Sequence, residues 1–366
     1  MSAGAWSGAT VVEPADENET AAILRNANET GQAVIPTGGG TKLAWGNPPR
    51  KADILLSMRR MNRVIEHAWA DLTVTVEAGC TIAALQRKLA EHGQRLAVDP
   101  LWSERATVGG ILATNDSGAL RLAFGALRDL IIGVTLVLAD GTIAMSGGKV
   151  VKNVAGYDLP KLATGSLGTL GVITRAVFRL HPLPRNARTL TIAATDAQDM
   201  QRILLAILDA RLAVTAVQAR PGNLVDVLLE GTLDGIAAQE AVITKMGKEM
   251  GSVREGSPAV WKAREELWGN APMVKFTSLP SQISAASALF SRFVVQATGI
   301  GYAQFTGDLR GLREAMERDG GSLVVLGKTE IDAWGNAGDA LPLMRAVKAQ
   351  FDPKNTLNPG RFAGGI

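Results

Sequence analysis

Cysteine and histidine are scarce in this chain of 366 residues, which has one cysteine and three histidines. The lone Cys80 excludes a disulfide within the chain, and it excludes an iron–sulfur cluster held by four cysteines of this chain. The histidines are His67, His92 and His181, so none lies beyond residue 181. Any electron chemistry must therefore depend on an organic cofactor.

Runs of one charge and long apolar segments are also lacking. The 38 Lys and Arg nearly balance the 35 Asp and Glu, and no block of like charge marks a nucleic-acid arm or a membrane patch. The most apolar stretches, residues 130–139 and 203–208, are shorter than the ~20 residues of a transmembrane helix. The first residues lack the charged and apolar regions of a secretory leader. We therefore expect a cytoplasmic protein with no nucleic-acid partner and no transmembrane segment.

Glycine, by contrast, is abundant, and three glycine-rich loops fall in the first half of the chain. They are Pro-Thr-Gly-Gly-Gly-Thr at residues 36–41, Thr-Val-Gly-Gly-Ile-Leu-Ala-Thr-Asn-Asp-Ser-Gly at 107–118 and Gly-Ser-Leu-Gly-Thr-Leu-Gly at 165–171. Glycine lets backbone approach a ligand closely, and successive free N–H groups form an anion-binding nest. Three such loops predict one long phosphate-bearing cofactor, such as a dinucleotide.

None of these loops has a known nucleotide fingerprint. The Rossmann pattern requires a helix after its glycines, whereas residues 41–49 have poor helical character. The P-loop pattern fails because Lys42 and Lys149 are in the wrong frame. We therefore expect loop backbone, and not a helix dipole, to hold the phosphates.

Length and 46% hydrophobic content predict two domains with a large buried core. In the first half we predict helices at residues 16–30 and from residue 82 to Gly93, and strands at 33–36, 53–58, 72–77 and 131–138, with a hairpin turn at Asp140 and Gly141. Prolines at 182–184 mark the boundary.

Beyond that boundary a βαβ-type succession occurs twice, which predicts two ferredoxin-like halves. The first copy has strands at 189–194, 214–219 and 225–230 and helices at 197–210 and 235–250. The second has strands at 273–277, 301–306 and 322–326 and helices at 280–296 and 309–318. The tail at 351–360 is rich in Pro, Asn and Gly, and we interpret it as a structured functional loop.

Six segments resemble, in order, the signatures of the flavoproteins related to vanillyl-alcohol oxidase and p-cresol methylhydroxylase. They are residues 36–41, 107–115, 139–141, 152–159, 165–174 and 352–360. Within that family the chain looks most like the FAD-binding subunits of glycolate oxidases. The resemblance implies an α+β fold with a two-subdomain FAD-binding domain at residues 1–184, a ferredoxin-like antiparallel-sheet domain at 185–345 and a C-terminal segment at 346–366 that returns to the flavin.

The resemblance also implies which residues bind FAD. The loop at 38–40 would hold the pyrophosphate, and Asn358 would lie near the isoalloxazine. The whole implied set is Pro36, Thr37, Gly38, Gly39, Gly40, Thr41, Asp99, Pro100, Thr107, Val108, Gly109, Gly110, Thr114, Asn115, Gly118, Gly165, Ser166, Gly168, Gly171, Val172, Ile173 and Asn358. Some relatives attach FAD to a histidine after the first loop, but this chain has Thr41 and Lys42 there, so we expect non-covalent FAD.

The histidines depart from the family pattern. D-2-hydroxy-acid dehydrogenases of the family use histidines of the second domain and C-terminal half as base and metal ligands, and this chain has none there. Tyr157, Tyr302, Lys328 and Arg361 could replace the base, but no spacing supports them. We assign no catalytic residue and no metal.

Three hypotheses remain. In the first, the chain is the FAD subunit of a glycolate (2-hydroxy acid) oxidase complex and exchanges electrons with a catalytic flavoprotein subunit and an iron–sulfur subunit, through which it would also reach a membrane. In the second, it is a self-sufficient FAD-dependent oxidase or dehydrogenase of a small hydroxy acid or alcohol. In the third, it is a structural subunit that has lost FAD.

Overall fold

The structure is a computed structural model that describes residues 6, 8–149, 157–269 and 271–366. The chain divides into two compact units, and each is described by itself. Unit 1 comprises residues 1–117, 126–183 and 332–366, and unit 2 comprises 118–125 and 184–331. Most of the fourth signature segment, residues 152–156, lies outside the described residues.

Unit 1 is built on two main sheets. Its strands are β1 (Thr10–Val12), β2 (Val34–Thr37), β3 (Ile54–Ser57), β4 (Val64–Ala68), β5 (Thr73–Glu77), β6 (Gln94–Arg95), β7 (Ile131–Val137), β8 (Ile143–Gly147), β9 (Val172–Arg179) and β10 (His181–Pro182). Its helices are α1 (Glu17–Thr30), α2 (Ile82–Ala90), α3 (Val108–Thr114), α5 (Leu127–Leu130), α6 (Leu159–Ala163) and α12 (Leu341–Phe351), while α4 (Arg121–Phe124) belongs to unit 2.

A parallel sheet of order β1-β3-β2 and an antiparallel sheet of order β4-β5-β9-β7-β8 form the framework of unit 1, and β6 and β10 pair separately. The predicted hairpin is present, since β7 and β8 pair from Val137 and Ile143 onward. Helix α1 is set by its ends: the Asp16 side chain accepts the Glu19 N–H, and Gly31 adopts φ 70°. One glycine-rich turn directly follows β2, and another directly precedes β9.

Unit 2 is one antiparallel sheet of eight strands with helices and a hydrophobic core on one face. Its strands are β11 (Asn186–Ala194), β12 (Val214–Arg220), β13 (Leu224–Gly231), β14 (Gly251–Glu255), β15 (Met273–Thr277), β16 (Arg292–Gln296), β17 (Ile300–Gln304) and β18 (Ser322–Leu326). Its helices besides α4 are α7 (Ala197–Asp209), α8 (Leu233–Lys248), α9 (Ala263–Glu266), α10 (Ile283–Ser287) and α11 (Leu309–Arg318).

The strand order β14-β11-β13-β12-β16-β17-β15-β18 contains two β-α-β-β-α-β repeats. Each half has the ferredoxin-like arrangement, and β12 pairs with β16 to join the halves into a continuous sheet. The α+β class and the predicted antiparallel second domain are confirmed.

Several elements of the second half differ from the sequence prediction. The helix predicted at 280–296 ends at Ser287, and residues 292–296 form β16, because Phe293 and Val295 alternate into the core in the manner of a strand. Strand β14 and helix α12 were not predicted. The sequence prediction extended the preceding helix through the short apolar stretch at 292–296, but a turn ends that helix before the stretch begins.

The limits of the units also differ from the predicted domains. Residues 332–345 belong to unit 1, because the Asn47 side chain hydrogen-bonds to Asp332 and Ala333 and the Trp334 indole donates to the Arg361 carbonyl oxygen. Residues 118–125 belong to unit 2, because Leu122 packs against its hydrophobic core. The predicted tail, 346–366, begins inside α12.

Candidate functional site

The glycine-rich turns of unit 1 surround one groove, formed by two adjoining cavities. Both cavities are lined by Pro36, Thr37, Gly38, Thr107, Gly110, Ala113 and Leu167. The first adds Met58, Ala78, Gly109, Gly168, Gly171, Val172 and Ile173, and the second adds Gly39, Gly40, Thr41, Lys42, Leu43, Thr114, Asn358 and Arg361. We call this space the glycine groove.

The turn after β2 supplies free backbone donors to the glycine groove. A Cβ on Gly38 would lie 2.0 Å from Thr107 Oγ1, and one on Gly39 would lie 1.7 Å from the Arg105 carbonyl oxygen, so only glycine permits this packing. The amides of Gly39, Gly40 and Thr41 donate to no protein acceptor within the described part of the chain. Successive free amides in such a turn form a nest for an anion.

Arg59 fixes the orientation of that turn from its other side. Its Nε donates to the Gly38 carbonyl oxygen at 3.3 Å and its Nη2 to the Gly39 carbonyl oxygen at 3.4 Å. Arg59 therefore holds the two peptide units whose N–H groups belong to Gly39 and Gly40.

The second glycine-rich segment, predicted as a loop, is mostly the helix α3. Thr107 caps it, with its Oγ1 accepting the Gly110 N–H at 3.3 Å. The Val108 and Gly109 amides donate to the carbonyl oxygens of Cys80 and Ala78 at 2.9 and 2.8 Å. These first-turn amides are therefore already bonded, and α3 contributes a close-packed wall to the groove.

The third segment docks onto the carboxyl end of α3. The Gly165 amide donates to the Leu112 carbonyl oxygen and the Leu167 amide to that of Ala113, both at 2.8 Å. Ser166 Oγ donates to the Ala163 carbonyl oxygen at 2.8 Å. These bonds place Leu167 and Gly168 against the groove.

The C-terminal segment closes the groove through Asn358. The Asn358 amide donates to the Val34 carbonyl oxygen at 2.9 Å, and its Nδ2 donates to the Leu167 carbonyl oxygen at 2.5 Å. Asn358 thus ties β2 to the turn at 165–168.

A buried ion pair holds that segment in place. Lys348 Nζ lies 2.6 Å from Asp352 Oδ2 and donates to the carbonyl oxygens of Thr169 and Leu357, both at 2.9 Å. The Asp352 carboxylate also accepts the Thr356 and Leu357 amides. Desolvation by burial lowers the pKa of Lys348, and the Asp352 carboxylate opposes that shift. We call Lys348 and Asp352 the tail clamp.

Lys42, which lines the second cavity, has a buried carboxylate partner. Its Nζ lies 3.1 Å from Asp116 Oδ2, which also accepts the Leu101 amide, and both side chains are buried. The ammonium group lies 5.7 and 5.5 Å from the ring centroids of Trp45 and Trp102.

Arg361 is buried in the groove without a carboxylate partner among the described residues. Its Nη2 donates to the carbonyl oxygens of Leu43 and Trp45 at 2.5 and 2.8 Å, while its Nε has no acceptor there. Desolvation by burial lowers its pKa to about 10.

Fifteen of the 22 predicted FAD-binding residues line the glycine groove. The other seven, Asp99, Pro100, Val108, Asn115, Gly118, Gly165 and Ser166, line neither cavity, and Gly118 lies in unit 2. Val108, Gly165 and Ser166 support the walls through the hydrogen bonds given above.

The predicted FAD-binding set lacks seven residues that line the groove: Lys42, Leu43, Met58, Ala78, Ala113, Leu167 and Arg361. Most are apolar residues with no chemical signal. Arg361 could have been found, because it is the first cation after Asn358 in a segment predicted to reach the flavin.

The candidate replacement bases differ in burial and in the unit to which they belong. Tyr157 is 93% exposed and Lys328 is exposed, whereas Tyr302 is fully buried in unit 2 and Arg361 lines the groove. The histidines also lie outside the groove: His67 hydrogen-bonds to Gln94, and His92 stacks on Trp69. Among the described residues, no cluster of His, Cys, Asp or Glu could hold a metal ion.

These residues fit a dinucleotide. Free amides and an uncompensated guanidinium suit a diphosphate and a further negative charge, and Ala78, Ala113, Val172 and Ile173 offer apolar walls to a flat ring. Within the described chain, no helix is both long and apolar enough to cross a bilayer.

Comparison with known proteins identifies the cofactor. Residues 8–146 match an FAD-binding domain, and residues 331–362 match the C-terminal domain of FAD-linked oxidases. The chain is 25% identical to the glycolate oxidase subunit GlcD of Bacillus subtilis, over 96% of this chain and 88% of that protein. It is 38% identical to a D-lactate dehydrogenase of Archaeoglobus fulgidus, over 54% of this chain and 44% of that protein.

Among solved structures, an alkyldihydroxyacetonephosphate synthase superposes with a TM-score of 0.71 at 18% identity, covering 96% of this chain and 77% of that one. That likeness shows a shared fold. FAD is therefore the cofactor of this chain, as the sequence predicted.

Proposed function

We propose that this chain, a member of the p-cresol methylhydroxylase-type FAD-binding family, is the non-covalent FAD subunit of a glycolate (2-hydroxy acid) oxidase complex. The observation that carries the proposal is the glycine groove, which offers donors and a cation for FAD but no histidine. In this role the chain takes part in oxidation of a CH–OH group and exchanges electrons with partner subunits.

Bound FAD would supply two-electron chemistry, and the residues of this chain would bind and orient it. The amides of Gly39, Gly40 and Thr41 are the donors for the diphosphate. Asn358 and Arg361 line the same cavity as that turn. Lys42 stands where some relatives carry the histidine that bonds to FAD, and its ion pair with Asp116 occupies it, which supports non-covalent binding.

The complex is favoured because two functions lack residues here. Oxidation of a hydroxy acid needs a base for the hydroxyl proton, and no histidine lines the groove or occurs in unit 2. Electron transfer through iron–sulfur clusters needs cysteines beyond the single Cys80. A catalytic flavoprotein subunit and an iron–sulfur subunit would supply these groups.

One observation favours the alternative, a self-sufficient hydroxy-acid or alcohol oxidase or dehydrogenase. In unit 2 the Tyr302 hydroxyl is buried without a partner among the described residues, and Lys275 Nζ lies 5.9 Å from the ring centroid. As a phenolate, this side chain could accept the hydroxyl proton of a substrate that reached it, in place of histidine.

An anaerobic absorbance spectrum of the purified full-length chain, before and after addition of glycolate or D-lactate, separates the hypotheses. We expect a visible flavin band that remains oxidised with substrate alone and bleaches once partner subunits are supplied. Bleaching by substrate alone would establish the self-sufficient enzyme. A protein without flavin that does not take up added FAD would contradict both.

A further inference from the structure

A third cavity of unit 1 adjoins the glycine groove at Gly39 and Thr107. Its other walls come from the segments that follow β3 and β5, from the start of α2 and from the segment before α3. Of the predicted FAD-binding residues, only Gly39 and Thr107 line it, so FAD does not account for this space. We call it the arginine cleft, because Arg59 and Arg105 both line it.

The charges of the arginine cleft favour an anion. Glu104 is the only acid among its described lining residues, and its carboxylate is 75% exposed and lies 3.5 Å from the Arg87 guanidinium. Neither Arg59 nor Arg105 has a carboxylate within 4.0 Å in the part of the chain that the structure describes. The positive charges of both arginines are therefore not neutralised within the protein.

Both arginines meet the glycine turn at Gly39. Arg59 donates from Nε to the Gly38 carbonyl oxygen and from Nη2 to the Gly39 carbonyl oxygen, at 3.3 and 3.4 Å, and its Nη1 bonds to no described residue. The main chain of Arg105 packs against Gly39, since a Cβ on Gly39 would lie 1.7 Å from the Arg105 carbonyl oxygen. A ligand that binds both guanidinium groups would therefore act on the turn itself.

The start of α2 adds no free donor to the arginine cleft. The Ile82 and Ala83 amides donate to carbonyl oxygens of the segment before α3, at 2.9 and 3.0 Å. The Ala84 amide donates to Thr81 Oγ1 at 3.3 Å. The donors left for a ligand are thus the two guanidinium groups, whose paired N–H groups match the oxygens of a phosphate.

We propose that the arginine cleft binds inorganic phosphate or the phosphate group of a small phosphomonoester, and that this anion weakens binding of FAD to the glycine groove. The anion competes with the carbonyl oxygens of Gly38 and Gly39 for Arg59, and its charge repels a diphosphate at the same turn. The coupling is reciprocal, so FAD weakens phosphate binding by the same factor. The effect on FAD rests on the proposed diphosphate site, whereas the anion site does not.

The first experiment titrates phosphate into the full-length, FAD-loaded chain by calorimetry, with chloride at matched ionic strength as the reference. Because FAD then occupies the glycine turn, phosphate should bind once per chain at the arginine cleft. Arg105→Met should weaken phosphate about tenfold, since it removes charge-assisted hydrogen bonds, and Arg105→Lys should restore part of the affinity. Arg310→Met, which removes an exposed arginine from α11 of unit 2, is the control and should have no effect.

Glycerol 3-phosphate in place of inorganic phosphate identifies the source of the anion. Tighter binding of glycerol 3-phosphate indicates a phosphomonoester ligand, and equal or weaker binding indicates free phosphate. No binding of either to the FAD-loaded chain, or equal weakening by Arg105→Met and Arg310→Met, would overturn the anion site. Circular dichroism of each variant establishes that it is folded.

The second experiment titrates the apo chain with FAD at increasing phosphate. The dissociation constant of FAD should rise about fivefold and then level off in the wild type, and it should stay constant in Arg105→Met. A rise without a limit that persists in Arg105→Met would mean that phosphate competes at the glycine turn, and it would overturn the coupling. A chain that binds no FAD would overturn the proposed function and the coupling, while phosphate titration of that chain and of Arg105→Met would still test the cleft.

Discussion

Two cations of the C-terminal segment are almost equally buried, with Lys348 6% and Arg361 3% exposed. Lys348 has a carboxylate at 2.6 Å and two carbonyl acceptors, and these partners come from the residue after α12, the turn at 165–171 and the tail. Arg361 has carbonyl acceptors but no carboxylate among the described residues, and it lines the glycine groove.

The charge of Lys348 is balanced within the protein, whereas that of Arg361 is not balanced by a carboxylate among the described residues. The tail clamp is complete within the protein, so its net effect is to fix the tail against Thr169 and thereby to place Asn358. Arg361 has no carboxylate to balance its charge among the described residues. A fold that leaves such a cation uncompensated is less stable there but binds an anion more strongly.

Loss of the tail clamp should have the largest effect on stability. Lys348→Met leaves the Asp352 carboxylate buried without its cation, and we expect the free energy of unfolding to fall by about 3 kcal/mol or more. Urea denaturation followed by circular dichroism measures it. Lys354→Met, which removes an exposed lysine from the same segment, is the control. A loss no larger than that of the control would show that the clamp has no structural role.

Gly39→Ala should have the next largest effect, on FAD binding. Its Cβ would meet the Arg105 carbonyl oxygen, so the turn must move and lose its donors. Loss of two hydrogen bonds to a charged group, about 1.5 kcal/mol each, predicts an affinity for FAD about 100-fold lower. Equilibrium titration of the apo chain with FAD measures it, with Gly148→Ala as control, since a Cβ there meets nothing within 4 Å. Equal affinities would exclude the turn as the diphosphate site.

Arg361→Met should change the stability of the apo chain far less than Lys348→Met does. It removes hydrogen bonds to Leu43 and Trp45 but also an uncompensated buried charge, and we expect a net change within about 1 kcal/mol. The same urea titration without FAD checks it. A loss as large as that of Lys348→Met would place Arg361 among the structural cations and remove the contrast.

His181 should give the smallest effect, seen as a pH dependence. Desolvation, with Arg179 and Arg95 nearby, lowers its pKa below 6.5. The unfolded chain then binds a proton that the folded chain excludes, so this contribution is complete above about pH 6.5 and is lost as the pH falls below it. Thermal unfolding between pH 5 and 8 should therefore show a weaker acid dependence in His181→Gln than in the wild type. Identical profiles would exclude His181 as a source of the dependence.

Much of the fold follows from local sequence. Asp16 and Gly31 set the ends of α1, Asp140 and Gly141 turn the hairpin, and the repeated apolar patterns of 186–326 specify two ferredoxin-like halves. The prediction failed where local patterns are ambiguous. A short apolar strand, β16, was joined to the helix before it, and the glycines of α3 suggested a loop although Thr107 caps a helix there.

Local sequence specified the α+β class and the turns that line most of the groove, because glycine runs, caps and apolar periods act over a few residues, and the resemblance to a known family supplied FAD. Three facts came from contacts in three dimensions: the amides of α3 are already bonded, Lys348 meets Asp352 and Thr169, and Arg361 is buried with no carboxylate partner among the described residues. Those outcomes depend on contacts between residues as distant as Trp45 and Arg361. Whether a buried charge is balanced is a property of its surroundings in space, which no local pattern contains.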